Sequence, residues 1–353
     1  MFNWKKLVAA TGCAALAIAL GGCQHTAGTP PAQAASPAAG GTVVTRENFV
    51  RAETDRMFAD TAKLGGGVNR FFIFRSPTPL DQQVVVRMNR DTLYAGAVVD
   101  SSAGATITLP PSPGGRYFSL HLIDNDHYDL GVISTPGTHP LPVDSGHIFA
   151  AIRIQLYNPG DPAEVALVNA WQDKLAINAK SARPFVPARW DKASLDAVRA
   201  ELEAGSRRFP NMEKAMLPRG KADSEQHLYG AACCWGLLPA TEATYFTYSG
   251  GHSEKACRSA NFPVPKNRAF WSITVYNEKG FIAYENAVLN SSTVKLEPDG
   301  SFTAYFGSKA ACGERANRLD TPPGWNTMMR VYRPDPSVLN GGYVLPATTL
   351  VKQ

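Results

Sequence analysis

Short apolar runs, repeatedly cut by proline and glycine, limit what this chain can become. Gln83–Met88, Leu93–Val99, Ala105–Leu109, Tyr117–Ile123 and Ile148–Leu156 are rich in Val, Ile, Tyr and Phe, with Pro110, Pro111, Pro113, Gly114 and Gly115 among the breakers between them. That punctuation reads as strands and turns. A second set, Thr244–Thr247, Phe270–Tyr276, Ser301–Phe306 and Met328–Tyr332, obeys the same rule, and Glu297-Pro298-Asp299-Gly300 makes a hairpin turn before one of them. The spacing of Phe49, Val50, Met57, Phe58 and Ala62 predicts a helix over Glu47–Lys63, ended by Gly65-Gly66-Gly67. Between the two strand sets the pattern is helical. Asp161-Pro162 starts one helix, through Trp171 and Leu175, and Asp191 caps another, carrying Leu195, Val198 and Leu202. Pro210 and Pro218 interrupt the helical pattern beyond Leu202. The expected class is mainly β with α: two β-sandwich-like domains joined by a helical middle segment.

Composition narrows the function classes. At 353 residues the chain is long enough for about two domains. Its 35 Lys+Arg against 30 Asp+Glu give a net charge of only +5, and Lys5 and Lys6 fall in a leader, so nucleic acid is not an expected partner. Charged residues at 18% lie below the usual ~25%, with 44% hydrophobic, which excludes disorder of the main body.

The leader has three parts. Lys5 and Lys6 are followed by the apolar stretch Leu7–Leu20, shorter than the ~20 residues needed to span a bilayer, and then by Leu20-Gly21-Gly22-Cys23. Small residues before a Cys fit a narrow protease groove, and the thiol can then accept lipid. This resembles the bacterial lipobox and implies a signal peptide over 1–22, a lipidated Cys23 and membrane anchoring through several acyl chains. Gln24 at the next position implies the outer membrane, with the body facing the periplasm. Residues 23–45, mostly Ala, Pro, Gly, Ser and Thr, read as a disordered tether. The remaining expected units are an N-terminal β domain over 46–160, a helical region over 161–240 and a C-terminal β domain over 241–353. An exported chain can form disulfides. Of Cys233, Cys234, Cys257 and Cys312, one of the adjacent pair is expected to join Cys257, because a bond between neighbours strains their peptide. No Cys and His are spaced for zinc.

Polar residues at the ends of the apolar runs are the candidate chemistry. Asn89-Arg90-Asp91-Thr92 closes a turn, or else points Arg90 and Asp91 into a cleft, Arg90 as a fork for a carboxylate and Asp91 as an acid or base. Asp124–Asp129 holds three carboxylates and His127 but lacks the glycine of a calcium loop. Extended, it would place Asp124, Asp126 and Tyr128 on one face and His127 on the other, which suits capping carboxylates better than a metal site. Asp126 and His127 could still act as orienter and base. Arg330 and Tyr332 share a strand face, and a buried Arg330 either holds an internal carboxylate or meets an anionic ligand. Trp271 and Trp325 suit the core better than a stacking platform. His227 lies in the helical segment between the domains, where clefts form. No nucleophile elbow, phosphate loop, dinucleotide fingerprint or zincin helix occurs.

Three stretches, Val84-Val85-Val86-Arg87-Met88-Asn89-Arg90-Asp91-Thr92-Leu93-Tyr94, Gly115-Arg116-Tyr117-Phe118-Ser119-Leu120 and Asp124-Asn125-Asp126-His127-Tyr128, resemble the family called domain of unknown function 1254. Ala269-Phe270-Trp271-Ser272-Ile273-Thr274-Val275-Tyr276-Asn277, Asp299-Gly300-Ser301-Phe302, and Gly324-Trp325-Asn326 with Arg330-Val331-Tyr332-Arg333-Pro334 resemble its usual C-terminal partner, domain of unknown function 1214. The resemblance implies a bacterial protein of two β-sandwich-like domains with no assigned activity. Arg318 stands where the pattern implies a Cys that would have offered Cys312 a local partner, and Cys233-Cys234 fills a place that is usually small and glycine-like. The expected function is a lipid-anchored envelope protein with a small-molecule-binding or catalytic cleft between two β domains. The alternative is a non-catalytic structural or interaction lipoprotein, and metal-dependent catalysis is a third reading. Site candidates are Asp91, Asp126 and His127 for catalysis, and Asn89, Arg90, His227, Arg330 and Tyr332 for ligand binding, with no metal and no identified cofactor.

Overall fold

A computed structural model describes residues 40–83, 87–143, 146–209, 211–249 and 255–352. The leader, Cys23, most of the tether and Val84–Val86 lie outside the described residues. The chain opens with helix α1 (Phe49–Gly65) and strands β1 (Phe72–Ile73), β2 (Thr92–Asp100), β3 (Ala105–Leu109), β4 (Phe118–Ile123), β5 (Asp129–Ile133), β6 (Gly137–Pro140) and β7 (His147–Gln155). The middle holds α2 (Pro162–Gln172), β8 (Ala176–Ala179), α3 (Lys192–Gly205) and α4 (Ser224–Cys233). The last part holds β9 (Ala243–Ser249), β10 (Arg258–Phe262), β11 (Trp271–Tyr276), β12 (Val288–Asn290), β13 (Phe302–Phe306), α5 (Lys309–Cys312), β14 (Arg318–Leu319), β15 (Asn326–Tyr332) and β16 (Thr349–Leu350). Among the described residues no helix is long and apolar enough to cross a membrane.

Two sandwiches result, as the sequence predicts. The N-terminal one stacks a sheet ordered β1-β2-β7-β4-β5 on a sheet ordered β6-β3-β8. β2 and β7 pair antiparallel from Thr92↔Gln155 to Asp100↔His147, which sets the register of the large sheet. Alternate residues (Leu93, Ala95, Ala97 and Val99 of β2, Leu120 and Leu122 of β4, Ile152 and Ile154 of β7) pack on Ile107 and Leu109 of β3. The opposite face carries Tyr94, Ser119, His121 and Arg153. It is covered as well, since β4 is buried at every position.

The C-terminal sandwich stacks β12-β11-β15-β9 on β14-β13-β10-β16. Trp271, Ile273, Met329 and Val331 interdigitate with Phe262, Phe302 and Phe306. Trp271 stacks on Phe302 at 4.5 Å and Trp325 on Phe306 at 5.0 Å, which places both tryptophans in the core. The other face of this sheet presents Ser272, Arg330 and Tyr245 in one row across β11, β15 and β9.

The helix signals are realised at the expected positions. Asp161 accepts a bond from the Ala163 amide at 2.9 Å, Asp191 from the Ser194 amide at 2.8 Å, and Gly66 takes φ 74° to close α1. The middle segment is not wholly helical, however. Val168 and Trp171 of α2 enter the N-terminal core, and β8 pairs with β3 through Ile177↔Ile107, so both belong to the first sandwich. Four residues of β8 are too few to display a strand period. α1, α3 and α4 pack together through Phe49, Ala52, Leu195, Leu202, Tyr229 and Ala231.

The cysteine pairing differs from expectation. Cys257 bonds Cys312, with Cα atoms 4.9 Å apart, and Cys233 and Cys234 are free thiols at the end of α4. The reason is topological. Cys257 precedes β10, and Cys312 comes after β13, its ladder partner, by one short turn. Gly307 in that turn has φ 153°, and a Cβ there would lie 2.9 Å from the Cys312 sulfur, so the bond depends on this glycine. Arg318, where a local partner was implied, instead pairs with Asp320 at 2.5 Å. Closing a loop of 55 residues should contribute about 4 kcal/mol on the chain-entropy argument. A Cys257→Ser, Cys312→Ser double variant is therefore expected to lose stability in urea titration by an amount of this order, whereas Cys233→Ser should lose far less.

Candidate functional site

The segment Arg87–Thr92 runs between the two sandwiches and is tied to both. The Arg87 amide, at φ 56°, donates to the Gly280 carbonyl at 2.8 Å, and the Tyr276 hydroxyl donates to the Met88 carbonyl at 2.8 Å. Asn89 donates to the Tyr332 hydroxyl at 3.1 Å and accepts from Thr92 at 3.1 Å. The Ser272 hydroxyl donates to Asp91, while the Leu156 amide donates to the Asp91 carbonyl at 2.8 Å. Arg330 donates to Thr274 at 3.2 Å, to the Tyr276 hydroxyl at 2.8 Å and to the Arg87 carbonyl at 2.7 Å. Asn89, Asp91, Arg330 and Tyr332 thus meet at the junction, all buried. Arg90 does not join them. It turns outward to Glu285 at 2.6 Å.

Electrostatics at the junction are set by burial. Asp91 has no exposed surface, and removal from water pushes its carboxyl above the usual carboxylate range, against the pull of Arg330 and Ser272. Burial also raises the Glu242 carboxyl, and it pushes the Tyr245 hydroxyl up to about 12. Arg330 therefore lies in the field of Asp91, but its hydrogen bonds go to neutral groups.

Beside these groups lies a second row that sequence reading missed. Tyr94, Arg153 and Ser119 are register partners across β2, β7 and β4. Arg153 spends one nitrogen on the Gly236 carbonyl at 2.7 Å and sits over the Tyr94 ring at 5.7 Å. The Tyr117 ring rests on Tyr332 at 5.5 Å and Phe270 at 5.9 Å, and its hydroxyl lies near Ser119 and Glu242 without a well-formed bond to either. Asp91 Oδ1, Tyr117 Oη, Ser119 Oγ, both His121 ring nitrogens, Arg153 Nη1 and Glu242 Oε2 are buried with no hydrogen-bond partner. His121 Nε2 comes within 3.3 Å of Asp129 at poor geometry. The available signal was a polar residue at alternate positions of apolar strands (Ser119 and His121 in β4, Arg153 in β7). That pattern ordinarily marks a solvent face, and here the face is covered, by Phe58 of α1 with Met216 and Trp235 at one end and by the second domain at the other.

Asp126, His127 and His227 form a separate cluster. Residues 124–128 are a tight turn, not an extended strand. Asp124 accepts from the amides of Asp126 and Tyr128, each at 2.9 Å, and His127 takes φ 64°. The expected pairing of Asp126 with His127 is not present. The Asp126 carboxylate is held by Arg51 and by Arg219 at 2.6 Å, whereas His127 Nε2 accepts from the Gly236 amide at 3.0 Å. Burial, with the neighbouring His227 and His121, pushes His127 well below the ordinary histidine range. His227 stacks on Tyr128 at 4.2 Å, and its ring nitrogens face the carbonyls of Ala215 and Asp126. A recess of about 500 Å³ opens beside this cluster, lined by Arg51, Asp124, Asp126, Tyr128, His147 and Arg219 among others, and Asp91 and Arg330 do not line it. Among the described residues no group of three or more His, Cys, Asp or Glu is placed to hold a metal ion.

Residues 68–141 match DUF1254 and residues 245–336 match DUF1214, each described as a protein of unknown function. The chain carries a DUF1254 domain and a DUF1214 domain. The strap residues Asn89 and Asp91, with Ser119 and His121, come from the DUF1254 domain; Tyr245, Ser272, Arg330 and Tyr332 come from the DUF1214 domain. Among solved structures, the VPA0106 protein of Vibrio parahaemolyticus is similar over 87% of this chain and 98% of its own, at 17% identity and a TM-score of 0.67. An uncharacterised protein of Burkholderia cenocepacia is similar over 86% of this chain and 87% of its own, at 15% identity and a TM-score of 0.50. These likenesses bear on the fold alone. No curated protein matches the sequence.

A raised carboxyl gives a pH signature of known sign. A carboxyl whose folded pKa exceeds its unfolded value (about 4) stabilises the protein below that value, and the contribution is lost as pH rises through the folded value. The stability of the wild type relative to Asp91→Asn should accordingly fall as pH rises above about 4 in urea titrations. A difference that does not change with pH would mean that Asp91 is ionised in the native state.

Proposed function

We propose that this is a lipid-anchored envelope protein that holds a small polar molecule in a hollow between its two sandwiches. The observation that carries the reading is the concentration of unpartnered buried polar atoms on facing sides of one junction, Ser119, His121 and Arg153 on one side and Glu242 and Asp91 around them. Native interiors leave few such atoms, and each one unmet costs about 1–3 kcal/mol. Tyr94, Arg153 and Tyr245 support the same reading. All three are only half-buried, so a small molecule can reach this row. The straps made by Asn89, Asp91 and Arg330 would by themselves suit a scaffold that merely fixes two domains. They leave the Arg153 row without an explanation.

Occupancy is tested on the purified protein. Native mass spectrometry should show a bound small molecule released on denaturation, and Tyr245→Trp, whose larger side chain fills part of the hollow, should lower the recovered amount several-fold. Equal recovery from both proteins would move the molecule elsewhere, and no bound mass together with no thermal stabilisation by a bacterial small-molecule extract would remove the reading.

The anchor rests on Leu20-Gly21-Gly22-Cys23 and the apolar stretch before it. Cells fed a palmitate analogue should label the wild type and leave Cys23→Ala unlabelled, with the variant released from the membrane fraction. Equal labelling of both would sink the anchor and leave the hollow untouched.

A further inference from the structure

Arg153 is the least compensated charge at the junction. Its side chain rises from β7 toward the second sandwich, donates Nη2 to the Gly236 carbonyl at 2.7 Å and lies over Tyr94, while Nη1 is buried with no partner. Its register neighbours are Tyr94 and Ser119, and the other groups in its field are tyrosines, Tyr245, Tyr332 and Tyr117. No carboxylate among the described residues forms an ion pair with it. An arginine cannot shed its proton to escape this situation, and a buried guanidinium N–H left without a partner is costly.

We infer that the hollow takes a small organic carboxylate, its carboxylate seated on Arg153 Nη1; the inference rests on the binding reading above and gives it a ligand class. Charge balance points to an anion, because Arg87, Arg153 and Arg330 bring three guanidinium groups to the junction, and among the described residues their hydrogen bonds go to neutral groups and not to carboxylates. Burial raises Asp91 and Glu242 alike. The number of donors selects the kind of anion. Arg87 and Arg330 already spend their nitrogens on Asn326, Thr274, Tyr276 and the Arg87 carbonyl, so one unused nitrogen of Arg153 with the hydroxyls of Ser119 and Tyr117 suits the single charge of a carboxylate better than a phosphate dianion. The walls fit an organic body, since Tyr94, Tyr117 and Tyr245 offer ring surface beside those donors.

Matched acid and amide probes separate charge from shape. Benzoate and acetate, each against benzamide and acetamide, are titrated into the purified protein at constant ionic strength and read by thermal shift. Benzoate should half-saturate at a concentration about tenfold or more below benzamide, the size expected of one charge-assisted hydrogen bond. Arg153→Gln should erase that preference, and Arg153→Lys, which keeps the charge and guards against simple misfolding of the Gln variant, should retain part of it. Inorganic phosphate should shift melting less than benzoate does. Equal response to acid and amide, a preference that survives Arg153→Gln, or no response to any acid would overturn the carboxylate assignment. A co-purified neutral molecule would do so too while leaving the binding reading intact, whereas loss of native-state occupancy would remove both.

Discussion

Asp91 has no exposed surface and lies where two β-sandwiches close on one another, with Ser272 donating to it and Arg330 beside it. Much of the molecule is arranged around making that placement tolerable. A lone buried carboxylate would cost many kcal/mol in a dry interior. Ser272 supplies the bond to the Asp91 carboxyl, and the chain before it is tied down separately: Asn89 reaches Tyr332, Arg330 reaches back to the Arg87 carbonyl, and Tyr276 reaches the Met88 carbonyl. These straps cross from one domain to the other. The relative position of the sandwiches is thus fixed by directional bonds as well as by apolar contact, and breaking one strap leaves its partner buried and unmet.

Because each large sheet is covered on both faces, the usual split between an apolar inside and a polar outside does not hold for it. The hidden faces carry Tyr94, Ser119, His121 and Arg153 on one side and Tyr245, Ser272, Arg330 and Tyr332 on the other. Satisfying such faces takes many hydrogen bonds, and the junction provides most of them. Among the exceptions, Tyr117 Oη, Ser119 Oγ, the His121 ring nitrogens and Glu242 Oε2 lie near Arg153 Nη1, while others, such as Gln172 Oε1 and Thr321 Oγ1, lie elsewhere.

The fold was largely legible because its signals are local. Asp161, Asp191 and Gly66 cap helices through bonds to residues two to four positions away, and β2, β4, β7, β11 and β15 each carry enough alternating apolar residues to fix a buried face. What escaped depends on distant partners. β8 is a strand only because β3 lies beside it, and Cys257 finds Cys312 only because β10 pairs with β13. Of the candidate site, Asn89, Asp91, Arg330 and Tyr332 were legible as polar residues at strand ends, and they do meet. Arg90 was not, since Glu285, the residue that draws it outward, is 195 positions away. Asp126 and His127 are neighbours in sequence that a left-handed turn sends to different partners.

Gly236 joins the two polar clusters. Its amide donates to His127 Nε2 and its carbonyl accepts from Arg153, so one residue in the chain after α4 registers the turn of the N-terminal domain and the charge at the junction together. The arrangement constrains the histidine. An imidazole that accepts from a backbone amide at Nε2 must carry its proton on Nδ1, and a doubly protonated ring could not accept at all. Burial and the neighbouring His227 hold His127 in the neutral form, well below its ordinary titration range. Neutral His127 therefore holds the Trp235–Gly236 peptide by its N–H, and the next peptide, Gly236–Leu237, presents its carbonyl to Arg153. The free nitrogen of Arg153 is in turn aimed by a bond to the peptide next to the one that His127 holds.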